Sequence, residues 1–158
     1  MKKIIAVLLC CVLLSVNAYA ADELPDVENE EIEYLEDGSC FVTITEIVSD
    51  GSIIRPFSTS TVRSGKKTII YRSASGSKLW EVSVKGTFSY NGKKATCTKS
   101  AVSTKCYSSS WKVSNASASK SGSQATAKAT GTQYKGGEAI GSHTKMVILT
   151  CSKDGKLS

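Results

Sequence analysis

The chain has 158 residues, a formal net charge of +6 and six cysteines. Its length suits one domain and excludes a second of ordinary size. A single histidine, His143, and the lack of any C-x-x-C pair argue against a zinc centre, so the sequence predicts neither a metal site nor a bound cofactor.

The first twenty residues have the order of a secretory signal. Two lysines precede an apolar run, 4–16, which leads to the small-x-small sequence Ala18-Tyr19-Ala20. The run is shorter than the roughly 20 residues that a membrane-spanning helix needs. We therefore predict a signal peptide over 1–20, which is the chain's only membrane contact, and a mature protein that is secreted, either extracellular or associated with the cell envelope.

Charge is divided unevenly along the mature chain. Residues 22–37 contain nine Asp or Glu and no Lys or Arg, whereas 38–158 contain eighteen Lys or Arg and five acids. A strongly acidic segment with few apolar residues repels itself and does not build a core. These patterns predict a flexible acidic leader over 21–37, followed by a basic folded domain over 38–158.

Alternation with period two predicts strands along this domain. The first are expected at 41–45, where Val42 and Ile44 share one face, and at 68–71. The clearest follows over 80–90, and Gly86 on its apolar side indicates a bulge or a close neighbour. Asn91-Gly92 favours a tight type I′ turn that joins 80–90 to a strand at 93–99. Later strands are predicted at 111–113, 125–130 and 142–151.

About seven short strands without a helical period are typical of an all-β fold. We predict a single antiparallel β-sandwich of immunoglobulin-like type, with a small barrel as the alternative.

Four cysteines remain after removal of the signal, and an even number in an oxidising compartment predicts disulfide bonds. We prefer the pair Cys97–Cys151, because closing so long a loop stabilises a domain by roughly 4 kcal/mol. Cys40 then pairs with Cys106. All three connectivities of four cysteines stay open at this point, including a local bond from Cys97 to Cys106.

Several stretches carry a family resemblance: 33–39, 86–92 with Cys97-Thr98, 111–113 leading to 117–122, and 149–151. In this order they resemble a family of small secreted proteins of Gram-positive Firmicutes, catalogued as a domain of unknown function. The resemblance covers nearly the whole mature chain. It implies an exported β-rich domain without an established activity, with Cys97 and Cys151 as the recurrent cysteine pair and Cys40 and Cys106 as additions.

The sequence offers little support for catalysis. A serine or cysteine nucleophile needs a nearby base, and His143 is the only imidazole. No serine stands in a G-x-S-x-G turn, and the acids after Gly38 show no spacing that indicates a pair for sugar hydrolysis. We therefore predict no catalytic residue, and expect His143 to be an ordinary surface or edge histidine.

Aromatic and basic side chains suggest a binding role instead. The candidate ligand contacts are Tyr107, Trp111, Tyr134, Lys93, Lys94, Lys99 and Lys105. The expected partner is an anionic cell-wall polymer, a glycan or another surface protein, while export and the lack of a binding module argue against nucleic acid. The prediction is a non-enzymatic binding module. The alternative is a bacteriocin-like toxin whose acidic leader shields its cationic domain.

Overall fold

A computed structural model describes residues 27–48 and 60–158 of the chain, and all regular structure in these residues is β-strand. The predicted signal peptide lies outside the described residues. In chain order the strands are β1 (Val27–Tyr34), β2 (Cys40–Val48), β3 (Thr61–Arg72), β4 (Lys78–Tyr90), β5 (Ala95–Cys106), β6 (Trp111–Ser121), β7 (Gln124–Lys135) and β8 (Glu138–Thr150).

The strands form two antiparallel sheets. Sheet A has the order β1-β2-β3-β4-β5 and sheet B the order β6-β7-β8. The all-β, antiparallel prediction is therefore confirmed. Within each sheet the described strands follow one another in sequence order. An immunoglobulin-like domain instead distributes its strands between two sheets in Greek-key order. The connections within each sheet are mostly short turns, which keep consecutive strands side by side.

The inner faces of the two sheets share one core. Trp80, Val82, Val84 and Phe88 of β4 are all fully buried, so the apolar face predicted for 80–90 is confirmed. Sheet B meets these large side chains mainly with small ones on β7. Three alanines of that strand, Ala125, Ala127 and Ala129, are only 0 to 1 % exposed. Val147 and Leu149 of β8 and Trp111 of β6 also belong to this core.

Two glycines allow the large rings of β4 to pack. A Cβ on Gly86 would lie 2.6 Å from the Phe88 ring and 2.9 Å from Ala125, so Gly86 marks a close neighbour. A Cβ on Gly131 of β7 would meet the indole of Trp80. Glycine at these positions is required by space rather than by backbone conformation.

The hairpin predicted around Asn91-Gly92 is present, but its turn is longer than expected. The last paired residues are Tyr90 and Ala95, so four residues connect β4 to β5. Gly92 has a φ of 78°, whereas Asn91 stays outside the left-handed region. The Asn91 side chain instead accepts hydrogen bonds from the backbone N–H groups of Lys93 and Lys94, which closes the wider loop.

Part of the predicted flexible leader is a strand. Residues 27–34 form β1, the edge strand of sheet A, in register with β2. Repulsion among the acids does not prevent this pairing, because the described side chains of β1 point into solvent at the sheet edge. The boundary predicted at residue 38 therefore lies inside sheet A. Removal of 21–37 would take away a strand together with the acidic charge, which weakens the idea of a simple shielding leader.

Both faces of β2 are buried, where the sequence predicted one. Phe41 packs into the main core, while Val42 and Ile44 lie on the outer face of sheet A. There they form a second, small cluster with Cys40 and Ile70. Because both faces of this strand are apolar, polar and apolar residues do not alternate along it. The sequence pattern alone therefore does not show which face points into the core.

The chain after β8 folds back on the sheet. Thr150 and Ser158 exchange two backbone hydrogen bonds, and Cys151 forms an isolated antiparallel β-bridge with Leu157. Leu157 is 3 % exposed and lies above Gly65 of β3. This return segment closes one end of the core.

Candidate functional site

The predicted ligand contacts do not converge on one site. Lys93 and Lys94 lie in the β4–β5 turn, whereas Lys105 and Tyr107 lie at the opposite end of β5. A strand of this length separates the two groups by roughly 35 Å. A small ligand therefore cannot touch both groups, although a polymer can.

Trp111 and Tyr134 occupy different environments. Trp111 is 5 % exposed and packs in the core, so it does not offer the surface contact that the sequence predicted. It opens β6 opposite Gln133, on the row of sheet B that faces inward. Tyr134 is half-buried near the end of β7, and Lys112 Nζ lies 4.9 Å from its ring centre.

Three exposed lysines share the outer face of sheet A at β4 and β5. The register places Lys85 opposite Ala101, Lys99 opposite Thr87 and Lys105 opposite Glu81. We call Lys85, Lys99 and Lys105 the lysine surface. Lys99 and Lys105 are roughly 20 Å apart along β5, and Lys85 lies between them on the next strand.

No carboxylate of the described residues lies within 4 Å of a lysine of this surface. The ion pairs found are Lys66–Glu46, Lys145–Glu33 and Lys153–Asp154. Lys85 moreover faces Lys66 directly across the β3–β4 ladder. Like charges in that position destabilise a sheet. The lysine surface therefore carries positive charge that no close ion pair with a described carboxylate neutralises.

Tyr107 lies beside this surface, after the end of β5. Its hydroxyl donates a 2.6 Å hydrogen bond to Glu81 Oε2, and Lys105 Nζ and Lys78 Nζ lie 4.8 and 5.7 Å from its ring centre. The hydrogen bond to Glu81, with a smaller contribution from burial, raises the pKa of Tyr107 to about 12. The ring is 39 % exposed, so it offers an aromatic face next to two ammonium groups.

His143 packs among aromatic rings at the inner edge of β8. The ring centres of Tyr71, Phe41 and Trp111 lie 4.9, 5.7 and 6.1 Å from its own, and Trp111 is nearly parallel to it. The imidazole is half-buried between the two sheets. It is an edge histidine, as expected, but one that faces inward.

A chain of hydrogen bonds lies close to this ring cluster. Ser39 Oγ donates to Asp37 Oδ1 at 2.5 Å and accepts a 3.0 Å hydrogen bond from the Tyr71 hydroxyl. The two hydrogen bonds from Ser39 lower the pKa of the Asp37 carboxyl, and the charge of His143 adds a smaller effect. The hydrogen bond to Asp37 lies within the β1–β2 turn, and the hydrogen bond from Tyr71 ties that turn to β3, which is a structural role.

Cys97 and Cys151 are held by one turn. The backbone N–H of Cys97 donates to the carbonyl of Gly122 at 2.7 Å, and that of Cys151 donates to the next carbonyl, Ser123, at 3.0 Å. Both side chains are buried in the main core as free thiols. Burial raises the pKa of each thiol, and the neighbouring Cys97 raises that of Cys151 further.

Cys40 and Cys106 are placed too far apart to bridge. Cys40 pairs with Arg72, while Cys106 pairs with Trp80, so β3 and β4 lie between the two cysteines. Three strand spacings amount to roughly 14 Å, twice the separation that a disulfide spans. The two side chains also lie on opposite faces of sheet A. The predicted Cys40–Cys106 bond is incompatible with this fold.

One cavity lies where no sequence pattern predicts it. It has a volume of about 270 Å³ and is lined by residues of β1, β2 and the return segment: Asn29, Thr45, Lys156, Leu157 and Ser158. It depends on the folding back of 152–158, which no local pattern predicts. In the described ranges no three His, Cys, Asp or Glu side chains are grouped to hold a metal ion.

Among the described residues, no helix is both long enough and apolar enough to cross a membrane. Comparisons of the chain with protein-family models, with curated proteins and with solved structures found no match.

Proposed function

We propose that the protein is a small, exported β-sandwich that binds anionic polymers of the bacterial cell envelope without catalysing a reaction. The lysine surface is the proposed contact. Anionic wall polymers and lipid headgroups are the acidic partners that an exported basic domain meets first. Export itself is inferred from the pattern of residues 1–20.

The segregation of charge is the observation that carries this proposal. Lys85, Lys99 and Lys105 lie on one exposed sheet region and have no carboxylate within 4 Å among the described residues. The acids of β1 lie at the opposite edge of the same sheet. A flat positive surface about 20 Å long suits an extended polyanion better than a small ligand.

Tyr107 extends the proposed contact at one end. Its exposed ring lies beside Lys105 and Lys78, and its hydroxyl donates a hydrogen bond to the carboxylate of Glu81. Glu81 is the acid opposite Lys105 in the ladder, and its carboxylate is hydrogen-bonded to Tyr107 without a close ion pair to Lys105. An aromatic face also provides a stacking surface for the sugar rings of a wall glycan.

A Cys97–Cys151 disulfide is part of the proposed exported form. The placement of both residues by the adjacent carbonyls of Gly122 and Ser123 supports this pairing over the other two connectivities. Cys40 and Cys106 then remain thiols. The bond would join β5 to the end of β8 and so connect the two sheets covalently.

Binding to defined anionic probes tests the proposal. Mature chain 21–158 is mixed with a phosphodiester polymer, and in parallel with vesicles that contain or lack anionic lipid, at increasing salt. We expect binding that weakens with salt. Replacing Lys85, Lys99 and Lys105 together by Gln should weaken it about a hundredfold, since each lysine near an anionic surface contributes about 1 kcal/mol.

A matched variant controls for net charge. Lys112, Lys128 and Lys135 lie on exposed parts of sheet B, and their replacement by Gln removes the same charge from another surface. This variant should bind nearly as tightly as the unmodified protein. Equal losses of affinity in the two triple variants would show that binding depends on net charge and not on the lysine surface, and would contradict the proposed contact. Failure of the unmodified protein to bind either probe at any salt concentration would overturn the proposal.

A further inference from the structure

The two sheets differ in width on the side where sheet B ends. Among the described strands none follows β8 in sheet B, whereas sheet A continues past β3 with β2 and β1. We propose that the β8 edge from Ser142 to Ile148 binds an extended peptide segment of a partner protein, in which apolar and basic side chains alternate. The segment forms a fourth strand of sheet B. This surface is distinct from the lysine surface, and the inference does not depend on polyanion binding.

The backbone groups of β8 point alternately towards β7 and towards the open edge. Thr150 exchanges two backbone hydrogen bonds with Ser158 of the return segment, so its N–H and C=O point away from β7. The register with β7 is unbroken over 141–150, so the even-numbered residues of 142–148 point the same way. Within the described chain no backbone hydrogen bond reaches these residues from the open side.

Neighbouring elements leave this edge accessible. No Cα atom of β1 or β2 lies within 8 Å of a Cα atom of β8, and β3 and β4 face β8 across the core. Met146 and Ile148 are 54 and 38 % exposed, although Val147 between them is buried. The return segment shows that a strand fits on this edge, because Leu157 pairs there with Cys151 in antiparallel orientation.

The greater width of sheet A determines the kind of partner. Stacked sheets lie about 10 Å apart, so the inner face of β1 and β2 lies below the position next to β8. A second folded copy that approached with its own β8 would bring its sheet A into the layer that β1 and β2 already occupy. Its protruding β1 and β2 would fit, but they would set Glu31 and Glu33 of one copy against the same acids of the other. A single peptide strand avoids both conflicts.

The inner face of β1 and β2 is acidic. Phe41 points into the core opposite Glu33, so Thr43 and Glu31, the next pair of the same ladder rows, face the same way. Glu33 is bound by Lys145, whose ammonium also lies 3.9 Å from the ring centre of Phe41. This ion pair therefore lies on the inner face of sheet A and does not project from the β8 edge. Among the described residues no ion pair involves Glu31, which is exposed.

These surroundings specify the side chains of the peptide. Alternate residues of a strand point to opposite faces, so one set of side chains turns inward towards Glu31 and the other lies beside Met146 and Ile148. A basic side chain complements the free carboxylate, and an apolar one extends the exposed apolar row of β8. Main-chain hydrogen bonds provide affinity, and this alternation provides specificity.

A synthetic peptide of the same length as 142–148, in which lysine alternates with valine, is the probe. We expect saturable binding to the mature chain 21–158. In NMR measurements amide exchange should slow at Thr144 and Met146 and stay unchanged at His143 and Lys145, whose N–H groups face β7. A peptide with glutamate in place of lysine should bind far more weakly. Absence of saturable binding, or equal affinity for the two peptides, would overturn the proposal.

Methylation of the peptide backbone tests strand pairing without altering the protein. In an antiparallel pair, the peptide residues that share the outer face with Thr144 turn their N–H groups towards β8, and these residues are the valines. Methylating the valine nitrogens should abolish binding, whereas methylating the lysine nitrogens should leave it intact. Equal binding of the two methylated peptides would contradict main-chain pairing.

Protein variants locate the contact. Thr144→Pro removes an N–H of the open edge without removing a hydrogen bond to β7, and should weaken binding about tenfold or more while the circular dichroism is unchanged. Glu31→Gln should weaken binding about two- to fivefold, as expected for an exposed ion pair. Glu30→Gln is the matched control, because Glu30 lies on the same strand but faces outward opposite Ile44. Binding that survives both Thr144→Pro and Glu31→Gln would refute the assigned edge.

Sedimentation velocity without peptide distinguishes the other occupant of this edge. The unmodified protein and Thr144→Pro should sediment alike at every concentration. Association of the unmodified protein that Thr144→Pro abolishes would place a second copy at the β8 edge and overturn the proposal. Thr144→Pro should bind a phosphodiester polymer as the unmodified chain does, so this inference and the proposed function fail independently.

Discussion

Lys145 Nζ on β8 lies 2.7 Å from Glu33 Oε2 on β1, so an ion pair joins the edge strands of the two sheets. The same ammonium lies 3.9 Å from the ring centre of Phe41, which is 2 % exposed. Glu33 and Phe41 are directly opposite each other in the β1–β2 ladder. The ion pair thus covers the core where the edges of the two sheets meet.

Replacing Glu33 by Gln should loosen β1 more than it destabilises the domain. The Glu33 side chain is 63 % exposed, and exposed ion pairs contribute between about 0 and 1 kcal/mol. We expect a loss of less than about 1 kcal/mol in chemical denaturation, but clearly faster amide exchange along β1. Glu138→Gln, at the exposed start of β8, is the control and should change neither quantity. Unaltered exchange in the Glu33 variant would show that the ion pair does not hold β1.

Peptide mapping of the oxidised, exported protein should find one disulfide, Cys97–Cys151. Oxidation removes two electrons and two protons from the two thiols and transfers them to a disulfide-containing oxidant of the compartment. Loss of the bond in a Cys97→Ser, Cys151→Ser variant should cost roughly 4 kcal/mol of stability in the chain-entropy model. Cys40→Ser should leave the mapped bond unchanged. Any map that joins Cys40 to Cys106 would contradict the register of sheet A.

The reduced protein gives an independent check on the same residues. Burial raises the pKa of Cys97 and of Cys151 above the ordinary value of 9.0, which keeps both as unreactive thiols. Cys106 is exposed and should be alkylated first. Because the raised pKa favours the protonated form in the folded state, this contribution to stability is present below pH 9.0 and is lost as the pH rises further. Alkylation of Cys97 or Cys151 ahead of Cys106 would show that the core is more open than described.

Alternation of polar and apolar residues was sufficient to predict the central hairpin but not the edges. Trp80 to Tyr90 has one apolar face, and Asn91-Gly92 marks the end of the strand, so local residues determine both. β1 is different, because its pairing depends on an unpaired edge of β2 and on Lys145, which lies 112 positions later in the chain. A purely local analysis interprets the same acids as a flexible segment.

The candidate site shows the same limit. The basic character of β5 is visible in the sequence, and the exposure of Lys99 and Lys105 agrees with it. Lys85 joins them only through the β4–β5 register. The sequence places Trp111 among the candidate ligand contacts, yet the inward row of sheet B buries it. Cross-strand register therefore determines which side chains share a surface.

Tyr107 should ionise later than an ordinary tyrosine when the pH is raised. The hydrogen bond to Glu81 favours the protonated phenol and raises its pKa from 10.0 to about 12. The resulting stabilisation is fully present below about pH 10 and is lost as the pH approaches 12. Titration of tyrosinate absorbance should show a late step that disappears in Tyr107→Phe. In Glu81→Gln the step should move to lower pH, and a step that does not move would contradict the assigned cause.

Replacing Gly131 by Ala should destabilise the domain, although the same change at Gly141 should not. A Cβ on Gly131 would meet the buried indole of Trp80, while a Cβ on Gly141 would have no atom within 4 Å. The two glycines lie on paired strands, β7 and β8, and neither has a positive φ. Overpacking a core of this kind costs about 1 to 3 kcal/mol, whereas Ala for Gly in open space is neutral or stabilises by about 0.4 to 1 kcal/mol through the unfolded chain. Urea denaturation, monitored by tryptophan fluorescence, measures both variants. Equal stability of the two would mean that the Trp80 ring has room to move away, and that the close contact between the sheets is not what requires glycine at position 131.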